Sequence, residues 1–126
     1  MTATRIPPAT LETVSGLPPA CCPQGRSLLA EWVRAYADSF ARQQATAATI
    51  DAEWSWIDHQ VSTHRLNPPR VAGCPNCAEW ASTLDLGPDE APDLETRLGY
   101  EAARHAVRHQ VYDPLVRHHH DGQGPV

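Results

Sequence analysis

Between Ser27 and His64 no glycine or proline interrupts the chain. Within that span Leu29, Val33, Tyr36, Phe40, Gln43, Ala47, Ile50, Trp54, Ile57 and Val61 recur at alternating steps of four and three. This is the spacing of a heptad seam, with Gln43 its polar member and Ala47 its small one. Ser27 suits a helix N-cap, and Asn67-Pro68-Pro69 stops the helix just after His64 and Arg65. A single helix over 27–65 is roughly 58 Å long at the standard rise per residue. That exceeds the width of a domain this small, so the pattern predicts one of two arrangements. Either the helix protrudes and pairs with another chain, or it folds into a hairpin near Gln43 to Thr49, where the seam is weakest. Trp32 and Trp56 lie off the seam and widen its apolar face.

A second helix is expected from near Asp93 to Tyr112, where Pro114 disfavours helix at the preceding residue. Wound at the α-helical period, Leu94, Leu98, Ala102, His105, His109 and Tyr112 fall within an arc of about 80°. Two histidines therefore fall on the expected buried face, and Arg97, Arg104 and Arg108 fall toward solvent. Between the helices, Gly73-Cys74-Pro75-Asn76-Cys77 has the residues of a tight turn. Ala78 to Leu84 offers a helical turn or two, and Gly87-Pro88-Asp89 breaks it. The fold class predicted is mainly α, with little or no sheet. Residues 1–25 carry five prolines and no periodic pattern, which reads as an extended or disordered arm. Residues 26–114 form one helical domain, and 115–126, with His118, His119 and His120, read as a flexible tail.

Composition changes this picture in two ways. The 126 residues hold a single domain, yet they include eighteen alanines, one phenylalanine and one methionine, a thin supply of core bulk. Small chains short of large aliphatics rely on a metal, a disulfide or a partner. The net charge of −5 comes from ten arginines and no lysine against fifteen acids. Proteins that grip nucleic acid by general attraction carry the opposite balance, so the charge argues against nucleic acid as a partner. No apolar run suits a signal peptide or a membrane span, which points to the cytoplasm. In that compartment the four cysteines read as metal ligands or redox thiols before disulfides.

Cys74 and Cys77, two residues apart on a turn, have the spacing by which two thiolates reach one tetrahedral Zn²⁺. His105 and His109, four apart on one helical face, are the leading candidates to complete the set. Cys21 or Cys22, with His64, is the rival source of the remaining ligands. The same Cys-x2-Cys spacing also serves redox pairs, but no strand precedes it as thioredoxin-like use requires. A DNA-reading zinc finger has about twelve residues between its second cysteine and first histidine, whereas 27 separate Cys77 from His105. H-x-E, H-E-x-x-H, G-x-S-x-G and phosphate-loop signatures are all missing, so the common enzyme classes find no support.

The expected function is a small zinc-binding helical protein acting as a protein–protein interaction or regulatory module. Its heptad helix would bind a second copy or another protein, with Trp32, Tyr36, Phe40, Trp54 and Trp56 as anchors. A thiol-based zinc sensor, a zinc enzyme with Asp58 or Glu101 as base, and a DNA-binding regulator using Arg97, Arg104 and Arg108 are the alternatives.

Overall fold

The computed structural model describes residues 9–19, 22–44 and 46–122, with side chains to 119. It is mainly helical, with no strand among the described residues. Among the described residues four α-helices follow in order: α1 Pro23–Arg42, α2 Ala47–Asp58, α3 Pro75–Thr83 and α4 Arg97–Gly122. A π-helical turn, His59–Thr63, continues α2. None of the described helices is long and apolar enough to cross a membrane.

Of the two arrangements open to the 27–65 span, the chain takes the hairpin. Gln43, the polar seam position, ends α1 in the left-handed conformation (φ 58°), its N–H bonded to the Phe40 and Ser39 carbonyls. Thr46 then caps α2 through its hydroxyl, which accepts the Thr49 N–H. The Thr49 hydroxyl in turn donates to the Ala35 carbonyl at 3.1 Å, tying the second helix back to the first. Closing the hairpin lets α1 and α2 bury their apolar faces on each other. Seam residues Leu29, Val33, Ile57 and Val61 are consequently buried within the chain. Trp32 and Trp56 are enclosed too, their ring centroids 5.7 Å apart and tilted by 50°. These two tryptophans, expected as partner anchors, are thus the largest side chains of the interior and offer no surface to a partner. Tyr36 and Phe40 pack on His119, and Trp54 lies beneath the Arg104 guanidinium.

The helix expected at Ser27 starts earlier. Pro23 occupies its first turn, where the missing N–H is no loss. Cys22 is the cap, its sulfur accepting the Gly25 N–H at 3.1 Å. Nor is the described part of the arm loose, because Ala9 and Val14 are buried in the core and Leu11 and Leu17 pack against it.

The C-terminal helix departs from expectation at both ends. It begins at Arg97, with the Thr96 hydroxyl accepting the Gly99 N–H at 3.0 Å. A side chain at 99 would collide with the Asp93 carbonyl, which only glycine admits. It then runs through Pro114 to Gly122. A proline inside a helix costs about 3 kcal/mol. Offsetting this, Ala103, Val107, Val111 and Leu115 form a row with no exposed surface, and Leu115 reaches the core only if the helix continues. Residues 115–122 are therefore helix, not tail. That fully buried row is also not the arc expected to face inward, of which Leu98 is 49% exposed. The reason is that α4 is covered from two directions. Its valine row meets the α1–α2 hairpin, whereas Ala102, His105 and Ala106 line a crevice shared with Cys77 and Ala81 of α3.

Candidate metal centre

Helix α3 starts with Cys74 as its N-cap and Pro75 behind it, and the Cys77 N–H donates to the Cys74 sulfur at 3.4 Å. The helix N-terminus stabilises negative charge there, so this residue order favours a thiolate at 74. Cys77, one turn on, points the same way and is 3% exposed. Opposite them, α4 presents His105 and His109 four residues apart, ring centroids 5.0 Å apart.

The donor atoms converge. Cys74 Sγ lies 3.5 Å from His105 Nε2, Cys77 Sγ lies 3.5 Å from His109 Nε2, and the two Nε2 atoms are 3.3 Å apart. All four lie within 4.8 Å of one another. A zinc tetrahedron with Zn–S ~2.3 Å and Zn–N ~2.0 Å has edges of roughly 3.5 Å between S and N and 3.3 Å between N atoms. The donor set and its edges fit a metal ion, and Cys74, Cys77, His105 and His109 are the residues that would hold it.

The electrostatics are those of a ligand site. Desolvation opposes ionisation of Cys74, but hydrogen bonds from the Cys77 backbone, then His105, the Cys77 thiol and His109, outweigh it and hold the Cys74 thiol at about 6. Burial pushes the Cys77 thiol up, and the neighbouring Cys74 adds to the rise. Two thiols this close resist being charged together unless a cation lies between them.

One further residue completes the arrangement, and the sequence reading missed it. His109 Nδ1 lies 2.9 Å from an Asp113 carboxylate oxygen. With Nδ1–H donating to Asp113, Nε2 keeps its lone pair for a metal, the carboxylate–histidine arrangement that orients metal-binding imidazoles. The signal was His-x3-Asp on one helical face. It was hidden because the helix was expected to end at Tyr112, before Asp113.

The rival ligands go elsewhere. Cys22 and His64 gather with His59, not with Cys74 and Cys77, while Cys21 lies outside the described residues. The arginine face is largely spent inside the molecule. Arg104, its side chain 19% exposed, pairs with Asp58 and Glu101 at 2.9 Å each and stacks on Trp54. Arg108 pairs with Glu53 at 2.6 Å and stacks on Tyr112. Two of the three arginines proposed for DNA contact are thus neutralised, and both carboxylates considered as catalytic bases are held by Arg104. No family profile matches the chain, and no curated protein or solved structure matches it, so the site is read from its own geometry.

Proposed function

We propose that this protein is a zinc-stapled helical module, and that Cys74, Cys77, His105 and His109 hold one Zn²⁺ in a closed structural site. The observation that carries the reading is the four-donor cluster at tetrahedral edge lengths, with His109 oriented by Asp113. Four protein ligands leave no position for substrate, which favours a structural over a catalytic ion. The ion joins short α3 to long α4 and supplies cohesion that an alanine-rich core lacks. The role we assign is regulatory or scaffolding, through contact with another protein or a second copy, in the reducing cytoplasm where the cysteines stay available. Because most of the seam is consumed by the hairpin, such contact falls to what it leaves out, and among the described residues Ile50 of the seam and Leu98 of α4 are the large apolar side chains left half exposed. The test is metal content together with melting. One equivalent of zinc at this cluster and a large fall in melting temperature on chelation are expected. A metal-free protein whose melting ignores chelator would end the reading.

A second reading rests on the same pair. Cys74 is half-buried and Cys77 lies within the same turn, so peroxide would find an accessible thiolate beside a resolving thiol. The two thiolates would give two electrons to the peroxide and join as a disulfide. The peroxide would leave as two waters after taking up two protons, and zinc would be released. Zinc loss under mild peroxide, reversed by a dithiol, is the expected outcome for such a sensor; zinc retained under peroxide removes it.

A further inference from the structure

The opposite end of the hairpin holds a second convergence of soft donors. Cys22 Sγ lies 3.1 Å from His59 Nε2 and 3.3 Å from His64 Nε2, and the two nitrogens are 3.2 Å apart. Three hydrogen bonds cannot all be made among one thiol and two imidazoles whose donor atoms form so tight a triangle, because each neutral imidazole offers a single N–H. One cation facing all three relieves the crowding. The edges are close to those of one face of a zinc tetrahedron, roughly 3.3–3.5 Å.

Three features of the chain build this triangle. Cys22 is the α1 N-cap, followed by Pro23, so its sulfur sits at the positive end of a twenty-residue helix. His59 and His64 are five residues apart, a spacing that on an α-helix sets side chains roughly 140° apart. The π-helical turn His59–Thr63 inserts the extra residue that brings position i+5 back over position i. The imidazole centroids are therefore only 4.9 Å apart. π-Helical turns are rare and concentrate at functional sites. Finally, residue 25 is a buried glycine. A Cβ there would lie 3.4 Å from the Cys22 sulfur and 3.5 Å from the His59 ring, in ordinary van der Waals contact with both. Residue 25 thus lies directly against the sulfur and one of the two imidazoles of the triangle.

We propose that Cys22, His59 and His64 form a second transition-metal site, for an ion of the Zn²⁺ class, with three protein donors and a fourth coordination position left for an exogenous ligand. A bound ion clamps the start of α1 to the end of α2 and closes the hairpin at the end opposite its turn. With a vacant position, this site exchanges ligands where the four-donor site does not, and suits a donor side chain or small anion brought by a partner.

The experiment is cobalt loading of the full chain, read by optical spectroscopy. Two equivalents are expected in the unmodified protein. Cys22→Ser should lose one equivalent and about one third of the thiolate-to-cobalt charge transfer, three thiolates becoming two. Serine also caps helices, so this variant removes the ligand without removing the cap. His64→Gln is the second variant and should lose the same equivalent with both Cys74 and Cys77 bands intact. Added imidazole should shift the spectrum of the unmodified chain and not that of Cys22→Ser. Uptake of a single equivalent, unchanged by Cys22→Ser or His64→Gln, overturns the site. Absence of any shift with imidazole, or loss of thiolate intensity in Cys21→Ser, overturns the open position. Because Cys77→Ser deletes the other equivalent, failure of this site and failure of the four-donor site are read separately.

Discussion

Two helices in this protein begin in the same way and end at different chemistry. Helix α1 opens on Cys22-Pro23 and α3 on Cys74-Pro75, and in both the cysteine sulfur accepts a backbone N–H three residues on. At α3 that N–H belongs to a second cysteine, and the facing helix offers histidines at i and i+4, a spacing α-helical geometry supplies without distortion. At α1 the corresponding residue is Gly25, and the facing histidines stand at i and i+5, which the backbone accommodates only by a π-helical turn. His109 is braced by Asp113; no ion pair among the described residues braces His59 or His64. The comparison teaches that one capping device can serve two sites, and that the partner helix decides what each becomes. One is four-donor and regular. The other is three-donor and rests on a local departure from the α-helix.

This contrast sets the order of expected effects. The largest should follow Cys77→Ser, which removes a buried donor from the four-donor cluster. We expect a loss above about 4 kcal/mol, the range where metal-site losses fall, measured by chemical denaturation in zinc buffer. A loss under about 1 kcal/mol would mean that α3 is held by packing alone. Next is Asp113→Asn, which leaves all four donors and disturbs only the brace. Zinc affinity should fall 10–100-fold, or about 1.4–2.7 kcal/mol, by competition with a chromophoric chelator, while stoichiometry stays at its unmodified value. An unchanged affinity would show that Asp113 merely pairs with His109. The smallest is Cys22→Ser, with an expected loss of less than about 2 kcal/mol, because the hairpin retains its core and serine preserves the cap. A loss equal to that of Cys77→Ser would erase the distinction between the two sites.

Much of this was legible in the chain because it depends on local order. The run from 27 to 64, its weak point at Gln43, the stop at Asn67-Pro68-Pro69 and the mainly helical class all follow from periodicity and from proline's backbone restrictions. Cys74, Cys77, His105 and His109 could be grouped because each pair obeys a spacing rule of its own, although 27 residues separate the pairs. His59 resisted the same logic. Its five-residue step to His64 matches no α-helical face, and only a change of helix type aligns them.

Other outcomes required competition between distant parts. Trp32 and Trp56 look like anchors in a linear reading, because a large off-seam aromatic has no assigned neighbour until α1 and α2 meet. Pro114 looks like a terminator until Leu115 has a core to enter, whereupon burial outweighs a cost of about 3 kcal/mol. Continuing the helix past Pro114 also brings Asp113 under His109. Arg104 and Arg108 look solvent-facing until Asp58, Glu53, Trp54 and Tyr112 surround them.

The sequence by itself therefore determined the helical class, the weak point of the long seam and the donor types, all of which are properties of residues a few positions apart. The tertiary structure decided which donors share a site and which aromatics become interior. It also decided where the last helix ends. Those choices depend on burial energies and donor distances between segments far apart in the chain, quantities that exist only once the helices pack.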